Sequence, residues 1–367
     1  MRLLWVELRD FRNHALTRID PVPEGLVVAV GPNGEGKTNL LEGIHFLYAL
    51  ASPRVSTNGP LVREGAQAAY VRGEFQTREG KALVEVEIPT QGASRVQVNR
   101  SPIRRKRDLR RQVRAVLFGP FDLPIVIGEP GKRRTFMDEA VTALWPLKEA
   151  LFTAYDRALR QRNRLLKEWD GPGIPTGMDA WDDALVTAGA ALIRTRTEAV
   201  EHLAPYASEE FNALAGYDLI VTYAPNVTAD VPEGVEEAFH ARLAERRQDE
   251  LQRRTSLVGP HRDDLHLAVR DLGARAFGSH GETWAAALCL RLGLAGAVSA
   301  EIGEPPLLLV DDPFSALDPA RRDHISERLA ARGGQVFITV ADEADVPPNA
   351  HAVWDVNAGT LAPRGAS

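Results

Sequence analysis

One segment near the start of the chain has the residue types and spacing of a phosphate-binding loop. Residues Gly31–Thr38 read GPNGEGKT and satisfy the pattern G-x-x-x-x-G-K-[ST] at every fixed position. The glycines allow backbone N–H groups to approach phosphate oxygens, Lys37 can pair with the β- and γ-phosphates, and the Thr38 hydroxyl can bind Mg²⁺. The pattern therefore predicts a site for a nucleoside triphosphate and Mg²⁺.

Two adjacent carboxylates supply the acidic partner that such a loop requires. The apolar run Leu307–Val310 ends at Asp311 and Asp312. We predict that Asp311 holds Mg²⁺, directly or through water, and that Asp312 orients or deprotonates the attacking water. The chain between Lys37 and Asp311 is longer than a small kinase or GTPase needs, and it carries no Asn-Lys-x-Asp guanine-reading motif. The predicted nucleotide is therefore ATP.

A serine-glycine turn is a second candidate anion site. Residues Gly278–Glu282 read GSHGE and precede the predicted helix Thr283–Val298. The N-terminus of a helix presents unpaired N–H groups and a dipole that favours negative charge. A third short segment, Ser315–Asp318, reads SALD and follows the acidic strand.

Apolar runs and helical spacing predict the elements that must position these residues. A buried strand, Gly25–Val30, leads into the phosphate loop, and an amphipathic helix, Asn39–Leu50, leads out of it. Alternating residues predict a half-buried strand at Lys81–Ile88. The Ala/Pro/Gly-rich tail after Thr360 is predicted to fray. Further strands are predicted at Val113–Phe118, Leu307–Val310 and Gln335–Val340.

Chain length and a change of composition predict two domains. The 367 residues exceed what one compact core usually absorbs. From about residue 130 to 254, Ala, Leu, Glu and Arg dominate, and apolar residues recur at helical spacing. We predict an α/β head of residues 1–125 plus 255–367 that carries a mainly helical insertion, 126–254. No heptad pattern is long enough for an extended coiled coil.

Composition is that of an ordinary soluble globular protein, with 44% apolar and 26% charged residues. The one cysteine, Cys289, excludes an internal disulfide and an intramolecular Cys-x-x-Cys metal site, and its Ala/Leu-rich surroundings predict a small core residue. The N-terminus is a poor secretion signal, and no run of about eighteen apolar residues is present. These features predict a cytoplasmic protein without a membrane-spanning segment.

Basic residues are concentrated in one run although the net charge is −6. Between Arg100 and Arg114 lie eight lysines and arginines, opposed only by Asp108. Several cations on one surface can neutralise a nucleic-acid backbone, but the same run is also typical of a solvated charged face. The candidates for DNA phosphate contacts are Arg104, Arg105, Lys106, Arg107, Arg110 and Arg111.

The order of these motifs resembles the ABC-type ATPase head, and nearly the whole chain resembles one branch, the RecF family. The phosphate loop is common to many families, whereas two of the other matching stretches are much more particular: Asp10–Asn13 (DFRN) and Gly259–Leu265 (GPHRDDL). The remaining matches are Asn39–Glu42, Gly128–Asp138, Gln161–Asn163, Gly278–Gly281 and Leu308–Asp312.

The resemblance implies an SMC-like head in which ATP drives a homodimer that clamps duplex or gapped DNA. It implies that Ser279 of one subunit completes the ATP site of the other, and that RecR and RecO cooperate in loading RecA at single-strand gaps during the SOS response. Hydrolysis is expected to be slow, DNA-dependent and to reset the clamp. The nucleotide and metal contacts expected from the motifs and the resemblance are Arg12, Asn13, Gly31, Asn33, Gly34, Gly36, Lys37, Thr38, Asn39 and Asp311.

Some positions depart from the family pattern, and other interpretations stay open. Glu282 and Thr283 stand where glutamine is expected, no glutamine lies in Leu117–Asp122, and no switch histidine follows Thr339. A transporter ATPase subunit would have a shorter spacing and a clear glutamine. A binding module with little hydrolysis is a third interpretation, and the segment GPHRDDL is either a charged turn or part of a dimer-facing surface.

Overall fold

The computed structural model describes residues 1–269, 272–273, 279–315 and 317–364. Within these residues the strands are β1 (Arg2–Phe11), β2 (His14–Ile19), β3 (Leu26–Val30), β4 (Ala68–Thr77), β5 (Gly80–Pro89), β6 (Arg95–Val98), β7 (Ser101–Pro102), β8 (Ala115–Phe118), β9 (Leu219–Ala224), β10 (Asp264–Val269), β11 (Leu272–Gly273), β12 (Leu307–Asp311), β13 (Val336–Val340), β14 (Ala352–Asn357) and β15 (Thr360–Pro363). The helices are α1 (Lys37–Ala49), α2 (Lys106–Arg110), α3 (Leu123–Ile127), α4 (Pro130–Leu144), α5 (Glu149–Glu168), α6 (Met178–Ala215), α7 (Val235–Arg253), α8 (His280–Ile302) and α9 (Pro319–Ala331).

The chain divides into two compact units. The first contains residues 1–123, 206–218 and the described residues from 279 onward, and the second contains 124–205 and the described residues of 219–273. The sequence analysis placed residues 255–273 in the head and residues 206–218 in the insertion. In the structure the described residues of 255–273 belong to the second, helical unit, and residues 206–218 belong to the first. The reason is pairing and packing: β10 pairs with β9 in the second unit, whereas the end of α6 packs against α8 in the first.

The first unit contains two six-stranded sheets that share a core with helix α1. One is antiparallel, in the order β2-β1-β4-β5-β6-β7. The other has the order β15-β14-β3-β13-β12-β8, in which the strands from β14 to β8 are parallel. Strands β3, β12 and β13 are buried along their whole length, as expected of parallel strands that are covered on both faces. All the strands predicted from apolar runs are present.

Residues Thr360–Pro363 form strand β15, so the prediction that the tail frays after Thr360 is wrong for residues 361–364; residues 365–367, which it also covers, lie outside the described residues. Strands β14 and β15 are joined by a tight turn in which Ala358 and Gly359 have φ of 46° and 76°. Two successive residues with positive φ are typical of the type I′ turn that connects antiparallel strands. The Arg364 guanidinium then donates hydrogen bonds to Asp355 on the neighbouring strand, which holds the end of β15 in place.

Helix α8 of the first unit is long and apolar enough to cross a membrane by length and composition alone. Arg291 interrupts its apolar residues, so the helix contains no continuous run of eighteen apolar residues. Because 72% of its apolar window is buried inside the protein, α8 has the surroundings of a core helix. Cys289 lies on this helix and is buried, as predicted.

The second unit is mainly helical. It contains α4, α5, α7, most of α6 and the small antiparallel sheet β11-β10-β9. Its apolar core includes Tyr155 from α5, Ile193 from α6, and Phe239 and Leu243 from α7. The longest helix, α6, has 38 residues, and the described part of the chain contains no long coiled coil.

Candidate nucleotide site

The phosphate loop connects the end of β3 to the start of α1. Gly31, Gly34 and Gly36 have φ of 156°, 90° and 114°, which side chains rarely allow. At Gly31 a Cβ atom would lie 2.3 Å from the carbonyl oxygen of Val356, so the backbone of β14 leaves no room for a larger residue. The loop's conformation and its packing therefore both require glycine here.

The loop presents an unbroken row of unpaired backbone donors. From Gly34 to Asn39, no backbone N–H donates a hydrogen bond to any acceptor in the described part of the chain. Six successive N–H groups at the N-terminus of α1 form a cradle with a favourable helix dipole. This arrangement fits the oxygens of a phosphate chain.

Lys37 lies at the end of the loop and is buried. Its ammonium donates hydrogen bonds to the carbonyl oxygens of Gly31 at 2.5 Å and Pro32 at 2.8 Å. Burial lowers the pKa of Lys37, although Asp311 and Asp312 oppose that shift by favouring its charge. The ammonium is thus held at the cradle by weak carbonyl acceptors, which an anionic phosphate can replace.

Sheet topology brings the acidic strand end to the phosphate loop. Strand β13 lies between β3 and β12, and the carboxyl ends of these parallel strands share one edge. Thr38 Oγ1 lies 2.9 Å from both carboxylate oxygens of Asp311, and Thr339 on β13 donates a hydrogen bond of 2.7 Å to Asp311 Oδ1. Burial raises the pKa of Asp311. The hydroxyl and carboxylate are hard oxygen donors of the kind that Mg²⁺ prefers, with phosphate oxygens and water as its other ligands.

Asp312 follows in the left-handed conformation, with φ of 50°. Its backbone N–H donates to Thr339 Oγ1 at 3.0 Å, which fixes the turn. Burial raises the pKa of Asp312, and the neighbouring charges of Asp311 and Asp345 raise it further. A residue in this sparsely populated conformation and with such a pKa is typical of an active site.

The asparagines predicted to contact the nucleotide brace the loop in this structure. Asn13 Nδ2 donates to the carbonyl oxygen of Glu35 at 3.0 Å, and Asn39 Nδ2 donates to Asn13 Oδ1 at 2.8 Å. Arg12 instead forms a two-point ion pair with Glu42 on α1, with both N–O distances 2.8 Å. Nucleotide contacts by Arg12, Asn13 and Asn39 stay predictions.

The predicted trans-acting serine caps helix α8. Ser279 accepts a hydrogen bond from Glu282 N–H at 3.2 Å, and the Glu282 carboxylate accepts one from Ser279 N–H at 2.8 Å. This reciprocal capping box explains why glutamate suits position 282, and the spacing S-x-x-E was the sequence signal for it. Tyr217 also donates to Glu282. Ser279 makes no hydrogen bond to the phosphate loop within the described chain; Gly278 and Ala316 lie outside the described residues.

The predicted DNA-contacting residues lie around the short helix α2, at the opposite end of α1 from the phosphate loop. Lys106 and Arg110 donate to the carbonyl oxygens of Leu50 and Ala49, where α1 ends. A cleft of about 840 Å³ opens beside Arg104, Arg105 and Lys106. Four of the predicted residues form no ion pair with any carboxylate in the described chain, namely Arg104, Arg105, Arg107 and Arg111.

Two motifs without a predicted role form part of the polar core of the second unit. Gly128–Asp138 lies largely on α4, and Gly259–Leu265 leads into β10. They are joined by Arg133, which donates two hydrogen bonds to Asp264. Within the segment GPHRDDL, Asp263 is completely buried whereas Arg262 is exposed, so the segment contributes both to this core and to the surface.

Arg196 on α6 is a central residue of this core that the sequence analysis missed. Its guanidinium donates to Asp138 at 2.9 Å and to Asp263 at 2.9 Å. The Tyr155 hydroxyl lies 2.7 Å from His261 Nδ1, and burial lowers the pKa of His261 to about 4. No local pattern marks Arg196, because its partners lie on other elements.

Comparison with known proteins agrees with this fold. The model of the RecF/RecN/SMC N-terminal domain matches residues 2–358. The chain is 40% identical to the DNA replication and repair protein RecF of Streptomyces avermitilis and 42% identical to that of Frankia alni, covering 95% of both chains in each case. A solved structure of the recombination mediator protein RecF with ATP, in the RecFOR pathway, superposes with a TM-score of 0.89 at 26% identity, covering 99% of this chain and 98% of the other.

The fold and the phosphate loop define the class as the ABC-type P-loop ATPase head of SMC-like proteins. An Smc head domain from Pyrococcus furiosus shares this fold, with a TM-score of 0.58 at 16% identity, covering 99% of this chain and 96% of the other. The chain belongs to the RecF family of DNA replication and repair proteins. Membership of this family decides against the transporter subunit.

Proposed function

We propose that this protein is an ATP-dependent DNA clamp of recombinational gap repair, which acts in the cytoplasm. The observation that carries the proposal is the cradle of six unpaired N–H groups beside the paired Thr38 and Asp311. One of the solved RecF structures that this chain resembles is a complex with ATP. A binding module without hydrolysis would not require Asp312 beside this site.

Each residue of the site has a distinct proposed role in hydrolysis. Lys37 exchanges its carbonyl partners for the β- and γ-phosphate oxygens. Thr38 and Asp311 would hold Mg²⁺, which supplies charge neutralisation at the phosphates when bound. Asp312 orients the attacking water and accepts its proton, and its raised pKa makes it a better base than an ordinary aspartate.

The proposed switch is a homodimer that forms around ATP. Ser279 is exposed at the N-terminus of α8, so a second copy can present it to the γ-phosphate, which would replace Glu282 as its hydrogen-bond partner. ATP that binds both copies stabilises the dimer, and hydrolysis removes the contact that joins them. Turnover is expected to be slow and DNA-dependent because the cycle acts as a switch.

The proposed ligand of the dimer is duplex or gapped DNA. The open patch of arginines around α2 supplies phosphate contacts without reading bases. RecR and RecO are the proposed partners, and RecA loading at junctions of double- and single-stranded DNA is the proposed outcome.

Molar mass in solution tests this clamp. For the Asp312→Asn variant with gapped duplex DNA at physiological salt, we expect a monomer without nucleotide and a DNA-bound dimer with ATP, measured by light scattering. The substitution slows hydrolysis and so preserves the ATP state during the measurement.

Two other outcomes would each remove a different part of the proposal. A dimer that forms with ATP but does not bind DNA would agree with an ABC-type ATPase head and would contradict the proposed repair function. A monomer under both conditions would show that Ser279 is not presented in trans, and the switch would have to be abandoned.

Neutralising three arginines of the patch should weaken DNA binding and reduce its salt dependence. Each lost phosphate contact lowers the slope of log K against log[salt] by about 0.9, so Arg104→Gln, Arg105→Gln and Arg107→Gln together should lower it by up to about 3 per protomer. The matched control removes three exposed arginines from the second unit, Arg160, Arg164 and Arg242, and should leave the slope unchanged. Equal slopes for the two triple variants in fluorescence anisotropy titrations would exclude this surface.

A further inference from the structure

The phosphate loop is held from outside by two neighbouring turns. One is the turn between β1 and β2, which carries Asn13 and leads into His14, and the other is the turn between β14 and β15. The Glu35 carbonyl oxygen accepts hydrogen bonds from Asn13 Nδ2 at 3.0 Å and from Gly359 N–H at 2.9 Å. The next carbonyl oxygen, that of Gly36, accepts the first hydrogen bond of α1 from Leu40 N–H at 2.9 Å and also lies 3.1 Å from His14 Nε2. The successive carbonyl groups of Glu35 and Gly36 therefore both contact these two turns.

Because a peptide unit is planar, a hydrogen bond that fixes its carbonyl oxygen also fixes the direction of its N–H group. In a planar trans peptide the N–H points opposite to the C=O of the same unit. When Glu35 C=O points to Asn13 and Gly359, the N–H of Gly36 points away from them. When Gly36 C=O points to His14, the N–H of Lys37 points away as well. Both amides belong to the unpaired row that forms the anion cradle.

The surroundings of His14 select one of its neutral tautomers. The ring is completely buried, and burial lowers the pKa of His14, so the imidazole is neutral. Each ring nitrogen faces a backbone carbonyl oxygen: Nε2 lies 3.1 Å from that of Gly36, and Nδ1 lies 2.9 Å from that of Gly359. The Thr17 hydroxyl lies 2.9 Å from Nδ1 and donates to Gly359 C=O in this structure, but it can turn to donate to Nδ1 when the ring proton is on Nε2. In the other tautomer Nδ1 would donate to Gly359, and the Nε2 lone pair would face Gly36 C=O with no hydroxyl beside it. The assigned donor is therefore Nε2–H.

We propose that His14 is a positioning residue for ATP, which holds the Gly36–Lys37 peptide so that the Lys37 amide faces the phosphates. This inference rests on the proposed nucleotide function of the loop. Asn13 and the turn at Gly359 support the preceding peptide in the same way. Space is limited here, since a Cβ at Gly359 would lie 2.3 Å from the carbonyl oxygen of Asn13.

Two substitutions distinguish the loss of the hydrogen-bond donor to Gly36 from a general loss of stability caused by changing a buried side chain. In His14→Gln the amide reaches the position of Nε2, whereas in His14→Asn it reaches only the position of Nδ1. We expect His14→Gln to bind ATP and ADP within about twofold of the wild type. We expect His14→Asn to bind both roughly 3- to 10-fold more weakly, the effect of one hydrogen bond. The kcat at saturating ATP should be nearly unchanged in both, because the residues of hydrolysis are retained.

Titration with a fluorescent ATP analogue gives the affinities, and thermal unfolding gives the stabilities. Equal affinities for the two variants would overturn the inference, whether both match the wild type or both fall together with stability. If neither variant folds, Thr17→Val removes the hydroxyl that can donate to His14 Nδ1 and so disfavours the Nε2–H tautomer. It should weaken ATP binding by a similar factor, and unchanged binding would overturn the inference. Lys37→Ala is the check on the proposed function: if it binds ATP as the wild type does, the nucleotide site itself is wrong.

Discussion

Replacing Asp312 by asparagine should lower kcat for ATP hydrolysis by about 10²- to 10⁴-fold and leave ATP affinity nearly unchanged, because the change removes a general base but no phosphate contact. Asparagine has almost the same shape as aspartate and tolerates the left-handed conformation that residue 312 adopts. The hydrogen bond from its backbone N–H to Thr339 is also retained. The expected loss is therefore chemical, and single-turnover hydrolysis with a separate ATP titration measures it.

Asp323→Asn is the matched control for this substitution. Asp323 is exposed on α9 in the same unit, so the same change of charge there should leave kcat unchanged. If Asp312→Asn retained the wild-type rate, Asp312 would not be the base, and the proposed hydrolytic role would be wrong.

The raised pKa of Asp312 adds a pH dependence to the same prediction. A base works only when it is deprotonated, so wild-type kcat should fall as the pH drops through the pKa of Asp312. Because burial and the charge of Asp311 raise that pKa, the fall should occur at a higher pH than an ordinary aspartate, with a pKa of about 3.9, would give. The residual rate of Asp312→Asn should lack this fall.

Replacing Arg162 by methionine should destabilise the second unit by about 3–5 kcal/mol, the usual effect of leaving a buried charge without its partner. The Arg162 side chain is almost completely buried and donates to Asp182 at 2.6 Å, to Glu250 at 2.6 Å and to Ser256 at 2.8 Å. Although burial opposes its charge, the hydrogen bonds that Arg162 donates to Glu250 and Asp182 raise the pKa of Arg162. Methionine fills similar space but leaves Glu250 without a cation.

The control is Arg164→Met, two residues further along α5. Arg164 is exposed and pairs with Glu168 in the next turn of the same helix, where solvent screens the interaction. We expect its unfolding transition to match the wild type in denaturant titrations followed by circular dichroism. Equal stability of the two variants would show that the buried cluster around Arg162 contributes nothing to this unit.

The sequence determined the phosphate loop, the acidic strand and most of the strands around them. Gly31–Thr38 combines fixed residue types with a strand before it and a helix after it, and all of these are properties of neighbouring residues. Apolar runs such as Leu307–Val310 mark buried parallel strands for the same reason. Patterns formed by residues within about ten positions of one another can be recognised in the sequence without knowledge of the fold.

The tertiary structure alone decided which distant residues complete these elements. The placement of β13 between β3 and β12 brings Thr339 to Asp311, and two hairpin turns from opposite ends of the chain meet at Glu35 and Gly36. The sequence analysis placed residues 255–269 in the head, but the pairing of β10 with β9 places them in the second unit. These contacts join segments that are not neighbours along the chain, and no local spacing records them, because only the folded backbone sets their distance.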